Sequence, residues 1–240
     1  MLLNIGRKIN LILYLNYSSG NMRKNDTELN ASPFFSIIIT TYNRATLLKR
    51  ALNSLLSQTE TDWEAIIVDD ESADDTYAQL LPYLASGSKI RYHLQNHRGE
   101  AITKNMGIEL ATGKFITFLD SDDEFEPSHL EFRKALLSQN PAVQLMHGGI
   151  KIIGNQFVPD RFDNNKKINL HDCIIGGTFF IEKNTALSLH GFNNILVGAD
   201  ADMFDRAVNS GVIMMETRAE TYIYHHETED SITNNLLINS

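Results

Sequence analysis

Three carboxylates stand within four residues, directly after an apolar run. The run is Phe115–Leu119, and the acids are Asp120, Asp122 and Asp123. Where a buried strand ends in an Asp-x-Asp pair, both carboxylates can face a divalent cation that neutralises the phosphates of a nucleotide. The same acids could equally cap a helix that begins near Pro127. The choice between a metal site and a capping loop therefore depends on the surrounding elements.

Strand and helix patterns alternate from Phe34 onward. Apolar β-branched runs predict strands, and apolar residues at helical spacing predict helices. The predicted strands are 35–40, 64–70, 89–94 and 114–119, and the predicted helices are 47–57, 76–85 and 100–111. Gly113 is expected to end the last helix. This order predicts an α/β domain with a Rossmann-like, mainly parallel sheet and helices on both faces.

Polar residues follow each predicted strand. In a parallel sheet the carboxyl ends of neighbouring strands share one edge, and ligands bind there. Four polar strand ends in succession are better explained by a binding site than by four unrelated caps. The residues concerned are Thr40–Arg44, Asp69–Asp70, Asn96–Gly99 and Asp120–Asp123.

The composition narrows the classes of function. With 240 residues and 42% hydrophobic content, the chain can bury a sizeable single core. The net charge of −9 argues against nucleic acid as a partner, because proteins that bind its backbone usually present a basic face. Phosphate chemistry through a metal ion stays open. The single cysteine, Cys173, excludes an internal disulfide framework and favours a reducing compartment.

The N-terminal segment differs from the rest of the chain. A short apolar patch, Leu11–Leu15, precedes a polar stretch over 18–32. The patch is too short to span a bilayer, and the polar residues offer no clear signal-peptide cleavage site. We therefore expect a flexible arm over 1–33, with marginal membrane affinity through the patch. Either Met1 or Met22 could be the true start.

Familiar nucleotide and metal signatures are missing. No G-x-G-x-x-G follows the first predicted strand, which argues against a dinucleotide cofactor. The segment Gly107–Lys114 has one residue too many for a phosphate loop, and Phe115 stands where Ser or Thr should hold magnesium. The segment His225–Glu227 lacks the second histidine of a zinc-protease helix.

The order and spacing of eight short motifs resemble the inverting, nucleotide-sugar-dependent glycosyltransferases of family 2, which have the GT-A fold. The resemblance runs from about Phe34 to Thr233. It implies a single GT-A domain over 34–240, with a nucleotide-binding half over 34–123 and an acceptor-binding half over 124–240. The motifs are Ser36–Arg44, Ser57–Thr59, Ile66–Ser72, Lys104–Gly107, Phe118–Asp123, Gly176–Ile181, His190–Phe192 and Gly198–Asp202.

The resemblance implies roles for residues at the nucleotide. Thr40 and Tyr42 match the residues that flank the base, since an aromatic face suits a planar ring. Asp70 matches the carboxylate that accepts a hydrogen bond from the base, which favours a donor edge such as the uracil N–H. Arg98 and Lys104 fall near the implied contacts to the diphosphate or ribose, Asp120 matches an acid that reaches the ribose, and Arg44 is a further implied nucleotide-binding residue.

The resemblance also implies a cation and a general base. Asp122 matches the principal ligand of Mn²⁺ or Mg²⁺, with Asp120 as the second acid. His226 matches a late histidine ligand, and His225 is the adjacent alternative. Asp200 matches the base that takes the acceptor's proton.

Asp202 is the second candidate for the base. Three positions depart from the family pattern. Ala199 replaces a usual Glu, Glu71 replaces a common Gly, and Lys104 replaces an Arg.

The implied reaction transfers a hexose or N-acetylhexosamine from a nucleotide-sugar, most simply a UDP-sugar, to a hydroxyl of a glycan or lipid-linked acceptor. The resemblance also implies a cytoplasmic enzyme, with peripheral contact at the inner face of a membrane. A catalytically degenerate nucleotide-binding or interaction module of the same fold is the alternative. A phosphatase built on Asp120 to Asp122 ranks far behind, because Glu124 stands where such enzymes carry a small hydroxyl or aliphatic residue.

Overall fold

A central sheet of seven strands organises the part of the chain that the computed structural model describes. That part is residues 32–227, with gaps at 86, 88, 161–165 and 196. The arm expected over 1–33, with Leu11–Leu15 and Met22, lies outside the described residues apart from 32 and 33, and so does 228–240. None of the described helices is both long and apolar enough to cross a membrane.

The first half of the fold alternates strand and helix as predicted. Its strands are apolar runs that are buried on both faces, as is typical of parallel sheets. Every bound lies within two residues of the predicted one. The elements are β1 Phe35–Thr41, α1 Ala45–Leu56, β2 Trp63–Asp69, α2 Thr76–Ala85, β3 Ile90–Leu94, α3 Glu100–Leu110 and β4 Phe115–Phe118.

The second half consists of short strands between three helices. Two 3₁₀ turns, Leu170–Asp172 and Gly176–Thr178, lie within it. The elements are β5 Glu124–Phe125, α4 His129–Gln139, β6 Leu145–His147, β7 Ile150–Gly154, β8 Phe157–Pro159, β9 Lys167–Asn169, β10 Phe180–Glu182, α5 Lys183–Ser188, α6 Ala199–Asn209, β11 Met214–Glu216 and β12 Tyr222–His226.

The large sheet has the order β11-β6-β10-β4-β1-β2-β3. All neighbouring pairs are parallel except those of β10, which is antiparallel to both β4 and β6. The predicted mainly parallel sheet is therefore confirmed. A second sheet has the order β5-β12-β7, with β12 antiparallel to β5 and parallel to β7.

Helices cover both faces of the large sheet. Along β1, Ile37 and Ile39 pack in one buried cluster with residues of α1, α2 and α4, whereas Ile38 packs in a second cluster with residues of α3, α5 and α6. This alternation follows from the two-residue period of a strand. The two apolar layers hold the strand ends in fixed register.

Gly113 does not end α3, so that expectation is wrong. The helix ends at Leu110, with Ala111 as its cap. A Cβ at position 113 would lie 2.7 Å from the carbonyl carbon of Phe35 and from the nitrogen of Ser36. Glycine is required because the turn before β4 passes directly against the backbone of β1.

Candidate active site

The carboxyl ends of β1 to β4 gather most of the predicted site residues at one edge of the sheet. Parallel pairing sets Thr41 of β1 beside Asp69 of β2, and Ile38 of β1 beside Phe118 of β4. The backbone N–H of Asp70 donates to the carbonyl of Thr41 at 2.9 Å. The polar loops after these strands are therefore neighbours, as the sequence predicts for a parallel sheet.

Lys104 supplies a buried positive charge at this edge. Only 5% of its side chain is exposed, and its Nζ lies 2.7 Å from Glu100 Oε1 and 3.3 Å from Asp120 Oδ1. Burial acts to lower the pKa of Lys104, but the charges of Asp120, Glu100 and Asp200 raise it well above its ordinary value. Lys104 therefore remains an ammonium ion at neutral pH.

Acids outnumber bases around Asp120. Burial is the largest cause that raises the pKa of Asp120 to about 6; Lys104 opposes the rise, while the charges of Glu100, Asp122 and Asp200 add to it. Carboxylates repel one another in this way only at short range. The surplus of negative charge favours the binding of a further cation.

Asp122 and its backbone are held from the β1 side of the site. Arg44 Nη1 lies 2.7 Å from Asp122 Oδ2, with 18% and 14% of the two side chains exposed. The guanidinium of Arg50 donates to the backbone carbonyl of Asp122. Arg50 Nε also lies 3.8 Å from Glu124 Oε1, so α1 fixes the loop that carries the acid pair.

Asp123 joins the loop to β12. Its carboxylate accepts hydrogen bonds from the phenol of Tyr222 at 2.7 Å and from the backbone N–H of His225 at 2.8 Å. Burial, reinforced by the charges of Asp120 and Asp122, raises the pKa of Asp123 well above its ordinary value. The third acid of the run therefore has a structural partner, and Asp120 and Asp122 are the two candidates for a cation.

The donor chemistry of Asp120 and Asp122 fits Mn²⁺ or Mg²⁺, since both metals prefer carboxylate and phosphate oxygens. The surplus of negative charge around Asp120 supports the same fit. Among the described residues, however, no group of three or more His, Cys, Asp or Glu side chains is arranged to hold a metal. A cation at the acid pair would therefore need ligands from the nucleotide.

The two candidate histidines lie on β12. His226 is buried, its Nδ1 lies 2.6 Å from the carbonyl of Asn155, and its Nε2 has no hydrogen-bond partner within the described segments. His225 Nε2 lies 2.7 Å from Glu124 Oε1. The structure does not bring His226 together with the acid pair as one ligand group. Its role as a ligand stays a prediction.

Asp70, the predicted contact of the nucleotide base, accepts three hydrogen bonds. Its Oδ1 accepts hydrogen bonds from Gln95 Nε2 at 2.7 Å and the Arg98 N–H at 2.9 Å, and its Oδ2 accepts one from the Gly99 N–H at 2.8 Å. Burial acts to raise the pKa of Asp70, but these hydrogen bonds hold it below its ordinary value. Asp70 is therefore an ionised acceptor at neutral pH.

Aromatic rings lie beside Asp70. The ring of Tyr42 stacks on that of His97, with centroids 4.3 Å apart. Thr40 pairs with Val68 at the end of β1. Arg98 is exposed, and its guanidinium makes no hydrogen bond or ion pair with the residues that the structure describes. Tyr42 and Asp70, the predicted contacts of the nucleotide base, thus lie in one region, and the exposed guanidinium of Arg98 belongs to the same loop as His97.

The two candidates for the general base differ in their surroundings. Asp200, in the first turn of α6, accepts a hydrogen bond from the Gly176 N–H at 2.9 Å. Its charge is felt by both Lys104 and Asp120, which places it in the acid cluster.

Asp202 is engaged in contacts with Arg206 and Asn193. Its Oδ2 lies 2.9 Å from both Arg206 Nε and Asn193 Nδ2. These contacts tie α6 to the loop before it. Asp200, whose charge acts on both Lys104 and Asp120, has no such ion pair among the described residues, and its role as the general base stays a prediction.

Three residues of this edge were not predicted as site residues: Glu100, His97 and Arg50. A local signal exists for Glu100, because its i,i+4 spacing to Lys104 favours an ion pair on a helix. Arg50 offers no such signal, since its partner Asp122 is 72 residues away. His97 lies within the polar strand end 96–99, but nothing local indicates its stack on Tyr42.

Comparison with known proteins agrees with this arrangement. Residues 36–193 match the family model described as Glycosyl transferase family 2. The chain is 32% identical over 162 residues to the UDP-Glc:alpha-D-GlcNAc-diphosphoundecaprenol beta-1,3-glucosyltransferase WfgD of Escherichia coli, covering 65% of this chain and 63% of the relative. It is 31% identical over 181 residues to the GalNAc(5)-diNAcBac-PP-undecaprenol beta-1,3-glucosyltransferase of Campylobacter jejuni, covering 72% of this chain and 59% of the relative. The chain spans less than two thirds of either relative.

Solved structures share the fold. TarS 1-349 of S. aureus, in complex with UDP-GlcNAc, superposes with a TM-score of 0.70 at 19% identity, covering 82% of this chain and 60% of TarS 1-349. The mannosyltransferase PcManGT of Pyrobaculum calidifontis, in complex with GDP-Man and Mn²⁺, superposes with a TM-score of 0.62 at 18% identity. The match covers 90% of this chain and 64% of PcManGT. The fold is the expected GT-A fold, and because the family model matches well over half of its residues, the chain belongs to glycosyl transferase family 2.

Proposed function

We propose that this protein transfers a hexose or N-acetylhexosamine from a UDP-sugar to a hydroxyl of a lipid-linked glycan, with inversion at the anomeric carbon. The observation that carries the proposal is the cluster of charges at this edge: Lys104 lies 3.3 Å from Asp120, and the charges of Asp122 and Asp200 both act on Asp120. The E. coli and C. jejuni relatives are named for undecaprenol-linked acceptors, which supports a lipid-linked acceptor here. The TarS complex supports a UDP donor, and the PcManGT complex makes GDP the competing choice.

Asp122 and Asp120 would hold Mn²⁺ or Mg²⁺ against the donor's diphosphate. When bound, such an ion neutralises the charge that develops on the leaving diphosphate. Lys104 keeps Asp120 in place at 3.3 Å and adds a fixed positive charge beside the cluster. Arg98 is exposed at the same edge and would contact the phosphates, and Arg44, which lies 2.7 Å from Asp122, would add a positive charge beside them. Residues 34–123 would thus bind the nucleotide, and 124–240 the acceptor.

Asp200 would take the proton of the acceptor hydroxyl. As the proton leaves, the acceptor oxygen bonds to the anomeric carbon and the bond from that carbon to the diphosphate breaks, so UDP departs. A single in-line displacement of this kind converts an α-linked donor into a β-linkage. The hydrogen bond from the Gly176 N–H orients the carboxylate for this task. A lipid-linked acceptor would place the enzyme at the inner face of a membrane, in peripheral contact from the cytoplasm.

The proposal is tested by transfer from radiolabelled UDP-glucose and UDP-GlcNAc to undecaprenyl-diphosphate-linked sugars with Mn²⁺. Asp200→Asn should lower kcat by about 10³-fold, because general-base catalysis contributes factors of this order. Asp205→Asn, an exposed acid of the same helix, is the matched control and should stay near the wild-type rate. Equal rates for the two variants would contradict the assignment of Asp200.

A non-catalytic nucleotide-binding module of the same fold is the competing proposal. Ala199, which stands where the family pattern has Glu, packs against the second buried cluster and offers no polar group to the site. Binding of UDP without transfer to any acceptor tested would favour this alternative. Transfer by the wild type would exclude it.

A further inference from the structure

A side chain of the protein lies where the donor's base is expected to bind. The imidazole of His97 stacks on Tyr42, with ring centroids 4.3 Å apart and planes 28° apart. Its Nδ1 lies 2.8 Å from Asp70 Oδ2. A planar ring and an N–H donor are also what a uracil would present to an aromatic face and a carboxylate. His97 therefore makes both contacts that the family resemblance implies for the nucleotide base.

The carboxylate of Asp70 already has a full set of donors. Gln95 and the Arg98 N–H donate to Oδ1, and the Gly99 N–H donates to Oδ2 beside His97. Two of these donors are backbone groups at the start of α3, which the fold holds in place. Half of the His97 side chain is exposed, against 5% for Asp70. His97 is therefore the partner that can leave at least cost to the fold.

A departure from the family pattern anchors His97. Glu71 Oε2 accepts a hydrogen bond from the His97 N–H at 3.0 Å. Glu71 has a φ of +69°, in the left-handed region where glycine is favoured. A glycine at this position would fit the backbone better but would provide no carboxylate. Glu71 therefore adopts a less favourable backbone conformation, and its carboxylate accepts the hydrogen bond from the His97 N–H.

We propose that His97 occupies the base subsite of the free protein and must leave Tyr42 and Asp70 before the base of the donor binds. This inference rests on the proposed function. A subsite that is open in only a fraction of molecules lowers the apparent affinity by that fraction. If the closed state is favoured by about ten to one, removal of the imidazole raises the affinity about tenfold. His97 is thus an affinity-determining residue for the nucleotide.

Calorimetric titration with UDP and with uridine tests the proposal on wild type, His97→Ala and His171→Ala. His171 is an exposed histidine of the 170–172 turn and serves as the matched control. His97→Ala should bind both ligands about tenfold more tightly than wild type, whereas His171→Ala should match wild type. Uridine lacks phosphates, so a gain for both ligands assigns the effect to the nucleoside part of UDP, which carries the base.

A second measurement follows the imidazole itself. The ring-proton signals of His97 are identified by their absence from the NMR spectrum of His97→Ala. Saturation of the wild type with UDP should move these signals, because the imidazole leaves the ring current of Tyr42. The signals of His171 should stay in place.

Equal or weaker binding of UDP by His97→Ala overturns the proposal, and so do His97 signals that stay unmoved at saturation. An equal gain in His171→Ala overturns it as well, since the effect would not belong to the base subsite. Absence of nucleotide binding by wild type and His97→Ala, both folded by circular dichroism, would instead refute the proposed function on which the inference rests.

Discussion

At the residue scale, the position of Asp200 depends on a neighbour with no side chain. Gly176 donates its N–H to the Asp200 carboxylate at 2.9 Å. A Cβ at position 176 would lie 2.5 Å from Asp200 Oδ1, closer than van der Waals contact allows. Glycine is therefore needed for the close approach of the 176–178 turn to α6. The sequence alone shows a Gly-Gly pair here but not the carboxylate that requires it.

Gly176→Ala should lower kcat by about 100-fold, because displacement of a reacting group by an ångström has effects of this size. If glycine acts only through Asp200, the double variant Gly176→Ala, Asp200→Asn should be no slower than Asp200→Asn alone. Single-turnover transfer rates of the four proteins measure this. Multiplicative losses in the double variant would show that Gly176 acts through another contact.

At the element scale, β12 links the acid-bearing loop to the second sheet. Tyr222 and the backbone of His225 both donate to Asp123, and Tyr222 pairs with Phe125 of β5. The sequence predicts β1 to β4 because their apolar runs are local patterns. It does not predict the sites of β5 and β12, which are short and depend on pairing across about a hundred residues. The role of Asp123 could not be foreseen for the same reason.

Tyr222→Phe should lower the free energy of unfolding by about 2 kcal/mol, because the buried carboxyl group of Asp123 loses a hydrogen-bond donor. Tyr77→Phe, at a half-exposed tyrosine of α2, is the matched control and should change it by less than about 0.5 kcal/mol. Urea denaturation at pH 7.5 measures both. Similar decreases in the free energy of unfolding of the two variants would show that the Tyr222–Asp123 hydrogen bond does not stabilise the fold more than an exposed tyrosine hydroxyl does.

At the scale of the whole molecule, a buried histidine couples folding to pH. His129 stacks on Phe125 with ring centroids 4.1 Å apart, and its Nδ1 lies 2.7 Å from Thr221 Oγ1. Burial, with the charge of Arg133 as the second cause, lowers the pKa of His129 well below its ordinary value of 6.5. The unfolded chain therefore binds a proton in a pH range where the folded protein does not, and stability falls as pH drops below about 6.5.

His129→Gln should remove this dependence. Between pH 7.5 and 5.5 the wild type should lose about 1.4 kcal/mol more of its free energy of unfolding than the variant, by proton linkage at a single site. The comparison cancels the opposite contribution of carboxyls with raised pKa values, such as Asp120 and Asp123. Urea denaturation at the two pH values measures the difference. Parallel losses in variant and wild type would mean that His129 is protonated in the folded state.

The sequence predicts where the candidate site residues lie better than it predicts which side chains they contact. Parallel strand order alone places Asp70 and the Asp120–Asp122 pair at one edge, and the structure brings Asp200 to it through electrostatic contact with Asp120. The pairing of Arg44 with Asp122 and of His97 with Asp70 depends on loop conformations that leave no periodic pattern. The roles of these residues in binding and catalysis stay predictions until the variants are measured.

The strand β12 also bears on how the protein is made. The hydrogen bonds from Tyr222 and His225 to Asp123 join residues 99 and 102 positions apart, so we expect them to form after the more local contacts among β1 to β4. During synthesis, the ribosome must release residue 226 before the loop with the acid pair is pinned. We therefore expect a nascent chain to form the strand ends that carry Tyr42 and Asp70 before the loop with Asp120 and Asp122 is held in place by β12.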